Sequence, residues 1–153
     1  MINLKKNECI DILRNNYLGH LAFISNKKPY VLPITFFFDE ANNSIISYAI
    51  EGHKINAMRK NKAVSLEVEE IDTVNNWRSI LLHGTFEELH QIDAKHKLHL
   101  FTQGVKKMVT EKEHMHPEFI SDFSVQLNTK GMPVVYRINI ISMTGKQRKP
   151  KKE

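Results

Sequence analysis

Gly52, His53 and Lys54 are the residues of this 153-residue chain whose types and spacing best suit chemistry. They follow a strand-like run, Ser44 to Ile50, and open a short amphipathic helix with Ile55 and Met58 on one face. Strand, glycine and helix start together make an anion site. The first N–H groups of a helix have no internal partner, and the helix dipole is positive there. A glycine lets the backbone approach a ligand closely, and His53 and Lys54 add side-chain donors. The chemistry implied is the binding of a phosphate group. The same residues also fit a plain strand-to-helix turn with solvated lysines.

Other arrangements are weaker. Eight histidines invite a metal reading. His96 and His99 lie three apart on a predicted helix, and His114 and His116 lie two apart in a loop. Neither pair has a third ligand at a recognised spacing, so solvent-facing histidines are the simpler reading. The acidic run Glu67, Glu69, Glu70 and Asp72 reads as a solvated strand face. No glycine–serine–glycine elbow, phosphate-binding P-loop or dinucleotide fingerprint occurs.

The elements around Gly52 follow from periodicity. Residues 4–15 predict a helix, ended by Asn15 and Asn16. Residues 17–25 predict a strand, with Gly19 marking a close approach or a bulge. A turn at Asn26 to Pro29 folds the apolar run Tyr30 to Asp39 back as a hairpin. Pro33 cannot donate to a ladder, which places this run at an edge or a bulge. A missing neighbour there would turn the backbone of Ile34 and Thr35 toward a ligand. The run is apolar on both faces, so both are expected to be covered, by a second copy of the chain or by the helix predicted at 92–109.

A polar turn at 40–43 leads into the strand before Gly52. Residues 63–71 and 77–89 alternate cleanly, with Val64, Leu66, Val68, Ile80, Leu82 and Phe86 on the inner face. Gly84 marks a bend. In the 92–109 helix, Ile92, Leu98, Phe101, Val105 and Val109 are the expected buried positions. A helical turn is expected after Pro117, and a sixth strand over 133–143, ended by Thr144 and Gly145. The fold class is mainly β with flanking helices: a six-stranded antiparallel small barrel, which removes sheet edges.

Length suits one domain with one core. We read residues 1–145 as that domain and 146–153 as a basic tail. The tail holds five cationic residues and one acidic one, so it carries most of the net charge of +5. The body is nearly neutral, which argues against nucleic acid as the main partner. No apolar run reaches the roughly 20 residues of a membrane span. The N-terminus is not a secretory signal, and a single cysteine fits a reducing cytoplasm.

The ordered series of motifs resembles the flavin-binding split-barrel superfamily, closest to its small pyridoxamine-phosphate-oxidase-like branch that includes the nitroimidazole-resistance proteins. The resemblance rests on Cys9 to Leu13, Gly19 to Phe23, Pro29 to Ile34, Tyr48, Gly52-His53-Lys54, Asn61, Trp77-Arg78-Ser79 and His83-Gly84-Thr85. The resemblance implies a homodimer with FMN at the interface. It implies that Pro33, Ile34 and Thr35 border the isoalloxazine through backbone groups. It also implies that His53 and Lys54 hold the phosphate, and that Trp77, Arg78 and Ser79 reach over from the partner chain.

An oxidoreductase passing electrons from a nicotinamide donor to a small planar acceptor, nitroaromatic or quinone-like, is the activity implied. The alternative is a non-catalytic flavin or haem module, a sensor or a store. His20 and His83 are the histidines that could serve a haem; a deazaflavin is a further variant in the family. The C-terminal strand offers only Arg137 where vitamin B6 oxidases use several basic residues, so that activity is not implied. No catalytic acid or base is legible.

Overall fold

The computed structural model describes residues 1–113 and 133–152. The turn expected after Pro117 and the pair His114 and His116 lie outside the described residues. The elements are β1 (Ile2–Asn3), α1 (Lys6–Asn15), β2 (Leu18–Ser25), β3 (Lys28–Thr35), β4 (Phe37–Asp39), β5 (Ser44–Ala49), α2 (His53–Lys60), β6 (Ala63–Thr73), β7 (Asn76–Glu88), α3 (Gln91–Glu113) and β8 (Val134–Arg148). A 3-10 turn, Glu40–Asn42, joins β4 to β5.

One antiparallel sheet runs in the order β3-β2-β6-β7-β8-β5-β4, and β1 adds to the end of β8. Its curvature follows from connectivity. β3 and β4 are the two ends of this order, yet only Phe36 separates them in the chain. A trans chain advances at most ~3.6 Å per residue, so the sheet must curl until its ends meet. Phe36 is fully buried at this junction, and its N–H donates to the Tyr17 carbonyl at 2.8 Å. Ser47 Oγ on β5 donates to the Thr35 carbonyl at 2.7 Å and ties the two ends across the split.

Among the described residues the count of eight strands exceeds the expected six for two reasons. The run 30–39 is cut in two at Phe36, and β1 is too short to show periodicity. The final strand also does not stop at Gly145. It continues to Arg148, paired to Trp77, so residues 146–148 of the expected tail belong to the sheet. Gly145 serves packing instead. A Cβ there would come within 2.6 Å of Cys9 Sγ, so the glycine lets α1 lie close on β8. Gly19 plays the same part between β2 and β6, where a Cβ would stand 2.9 Å from the Glu67 carbonyl.

Alternation sends Leu21, Phe23, Leu66, Val68, Ile80, Leu82 and Phe86 inward, with Ile12 and Leu13 of α1 and Ile55 and Met58 of α2. A second cluster lies beneath α3: Phe101, Val105 and Val109 against Ile46, Leu89 and Val135. Ile92 was expected in that group but is 78% exposed; it lies in the first turn of α3, and the buried positions begin farther along the helix. α3 packs on β4, β5 and β8, and the Phe37 ring sits so close to Gly104 that a Cβ there would overlap it. It does not cover β3. Val31 is 66% exposed and Pro33 is exposed, so the expected double coverage of this run fails within one chain.

Candidate functional site

α2 starts without a cap. Gly52 offers no side chain, and the first turn contains no acidic residue. Its N–H groups are therefore open to an external acceptor. Gly52 has φ 172°, an extended conformation open to any residue. A Cβ at Gly52 would meet only the Ile50 carbonyl, at 3.9 Å. Nothing inside the chain requires glycine here, and the space a side chain would fill is left clear in front of the helix start.

His53 is held from β2 and β3. Its Nε2 lies 2.9 Å from Ser25 Oγ. The ring stands edge-on to Tyr30 at 5.0 Å and Phe23 at 5.9 Å, and those two rings stack on each other. This fixes the imidazole and leaves Nδ1 as the nitrogen with no partner among the described residues. None of the supports Ser25, Phe23 and Tyr30 was expected as a site residue, although Phe23 and Tyr30 lie in motifs that carry the resemblance. Only the pairing of β2 with β3 and the packing of α2 on β2 bring them to His53.

Lys54 is half-buried. Among the described residues, no hydrogen bond or ion pair involves its ammonium. Burial pushes its pKa below the ordinary lysine value. A cation stripped of water without a counter-charge is unfavourable, and a phosphate placed against it would offset that cost.

Pro33, Ile34 and Thr35 lie on β3, which among the described residues has β2 as its only neighbour. The edge-strand expectation from Pro33 holds. Half of the β3 backbone groups face away from the sheet, as in any edge strand. Ile34 is buried, so only its backbone can reach a ligand, and one acceptor position of the Thr35 carbonyl is taken by Ser47. Tyr48, on β5, sets its ring edge-on to Phe101 at 5.1 Å, and burial raises its pKa.

Trp77, Arg78 and Ser79 start β7, separated from β3 by β2 and β6. Trp77 and Arg78 line a cleft of about 450 Å³ with Glu8, Glu70, Arg148 and Lys149. This cleft includes no residue of α2. The Arg148 guanidinium lies over the Trp77 ring, 5.8 Å from its centroid. Arg78 is bound to Glu70 at 2.6 Å, and Glu70 also accepts from Asn16. Arg137 is likewise engaged, held by Glu87 through two 3.0 Å hydrogen bonds. His83 lies with Nδ1 2.6 Å from Ser65 Oγ.

The curled antiparallel sheet with its flanking helices defines a class, the split-barrel proteins, here with an uncapped helix start beside an unpaired lysine. The chain belongs to the pyridoxamine 5'-phosphate oxidase family, whose model matches residues 5–147. It is 28% identical to an uncharacterised protein of Rhizobium meliloti over 106 residues, 68% of this chain and 69% of that one. Among solved structures it resembles an FAD-binding protein of Mesorhizobium loti, with 26% identity and a TM-score of 0.67 over 95% of this chain and 96% of the other. It also shares the fold of a candidate 5-nitroimidazole antibiotic resistance protein of Bacteroides thetaiotaomicron. There identity is 16% and the TM-score 0.68 over 94% of this chain and 85% of the other. Among the described residues no helix is long and apolar enough to cross a membrane.

Proposed function

We propose that this protein binds FMN and works as a flavin-dependent oxidoreductase on a small planar acceptor, a nitroaromatic or a quinone, with a nicotinamide as electron donor. The observation that carries the reading is the half-buried Lys54 ammonium, free of any partner among the described residues, beside the uncapped start of α2. The open α2 N–H groups, His53 Nδ1 and Lys54 would hold the phosphate. The backbone of Pro33, Ile34 and Thr35 would border the ring system. The family match and the FAD-binding neighbour support a flavin as the ligand.

Flavin supplies the electron chemistry when bound; the chain positions it and shields it. A second copy completes the site in this reading. Leu18, Ile24, Val31 and Leu81 are exposed, and strand register puts all four on the outer face of β3-β2-β6-β7. Pro33 stands among them, opposite His20. Covering this face would bury apolar surface and bring Trp77, Arg78 and Ser79 of the partner within reach of the flavin.

The test is the purified protein. FMN should copurify, with absorbance at about 450 nm that follows the protein, and the particle should be a dimer by light scattering. Mass spectrometry of the released molecule separates FMN from FAD. Anaerobic reduction by a nicotinamide and reoxidation by a nitroaromatic should run well above the rate of free flavin. A colourless monomer that no flavin stabilises against heat would refute the reading.

A further inference from the structure

The outer sheet face holds a second polar group that the flavin reading leaves unused. His20 on β2 stands directly opposite Glu67 on β6, and Glu69 lies two residues along on the same face of β6. One ligand-capable atom from each falls within 4.8 Å of the other two. His20 Nδ1 is 3.6 Å from Glu67 Oε2, too far for a hydrogen bond. The other carboxylate oxygen, Glu67 Oε1, is buried and has no hydrogen-bond partner. Among the described residues no lysine or arginine pairs with Glu67 or Glu69. Two carboxylates side by side, with the His20 imidazole and no lysine or arginine against them, repel unless a proton or a cation is shared.

We propose that His20, Glu67 and Glu69 form a binding site for a divalent cation of the zinc class. The donor set is one imidazole nitrogen and two carboxylate groups. Magnesium and calcium prefer all-oxygen shells, whereas an imidazole nitrogen suits zinc and its neighbours. Three protein ligands leave a coordination position open. The site has a built frame: two hydrogen-bonded strands fix the His20–Glu67 register, and Gly19 brings the β2 and β6 backbones together. The cation would also bring the orphaned Glu67 oxygen a partner. His20 stands opposite Pro33, so the site lies on the face that the proposed second copy would cover, beside the proposed flavin ring.

Calorimetric titration of the EDTA-dialysed full-length protein with zinc tests the site, with metal content read by mass spectrometry. About one zinc per chain should bind. His20→Ala, Glu67→Gln and Glu69→Gln should each weaken binding at least ~100-fold, beyond the loss typical of outer-shell ligand partners. The double variant of the exposed histidines, His96→Ala with His99→Ala, should bind as the parent does. Without metal, Glu67→Gln should unfold at a higher temperature than the parent, since it removes the repulsion, and it should gain nothing from added zinc. Zinc that binds equally well to the His20 and Glu67 variants would overturn the proposal as adventitious surface binding. So would no zinc binding at all, which would leave the two carboxylates sharing a proton only.

Discussion

Lys54 and Arg78 were both expected to touch the cofactor, and the structure gives the two cations different surroundings. Lys54 sits at the start of α2, half-buried, with no partner among the described residues. Arg78 sits at the start of β7, closed onto Glu70, which is itself tied to Asn16. The difference lies in what each neighbouring strand carries. Arg78 faces an acidic strand, with Glu70 opposite it in register. Lys54 lies two positions after Gly52, and the first turn of its helix carries no acid. A charge already neutralised has little left to offer a phosphate, whereas an unpaired one gains most from it. The candidate phosphate site is therefore the α2 start.

The sharpest way to break this contrast is a paired deletion at the α2 start. His53→Ala with Lys54→Ala should weaken FMN binding by at least ~100-fold, since each charge-assisted contact is worth roughly 1.5–3 kcal/mol. Fluorescence titration of FMN measures it, and thermal unfolding without ligand should change little.

A second cation pair sharpens the meaning of commitment. Lys97 bonds Asp39 at 2.7 Å, with both side chains largely buried, and Asn42 adds a second donor. Lys97→Ala should cost about 3 kcal/mol in urea unfolding because it strands a buried carboxylate. FMN affinity should not move. Arg78→Ala is expected to do less of both. Its pair with Glu70 is a third exposed on each side, so stability should fall by less than about 1 kcal/mol. FMN affinity should fall less than about fivefold, far short of the α2 double variant.

The smallest effects are in pH, and both make stability rise with pH, Asp39 in the acid range and Lys54 in the alkaline range. Burial alone would raise the Asp39 pKa, but the Lys97 and Asn42 hydrogen bonds and the Lys97 charge outweigh it and lower it. Asp39 thus contributes stability above its unfolded pKa, and this is lost as pH falls through the folded value. Lys54 is lowered by burial alone. Its protonated form is the disfavoured one, so unliganded protein should gain stability as pH rises from the folded Lys54 value toward the unfolded one. Urea unfolding at acid and alkaline pH, in the parent and in Lys54→Ala, checks both. Bound FMN should cancel the alkaline gain.

Local signals carried much of the fold. Alternation placed Val64, Leu66, Val68, Ile80 and Leu82 on the inner face, and Pro33 marked an edge strand. The Asn26-Lys27 turn carries two positive φ values, which suit the two-residue hairpin that pairs Ser25 with Lys28. What stayed illegible was non-local. Gly145 resembles a strand stop, but it serves the contact with Cys9 across the chain. Glu67 and Glu69 read as a solvated face because His20 is 47 positions away from Glu67, and no local pattern shows which strand β2 will pair with. The run Tyr30 to Asp39 looked doubly covered because its apolar residues do not reveal the break at Phe36. That break passes Phe37 to α3 and leaves Val31 bare.

Comparing FMN with riboflavin, which lacks the phosphate, tests the site most directly. The parent protein should prefer FMN by roughly 100-fold, and the His53→Ala, Lys54→Ala variant should bind both about equally and weakly. A variant that still prefers FMN as strongly as the parent does would show that the phosphate is held elsewhere.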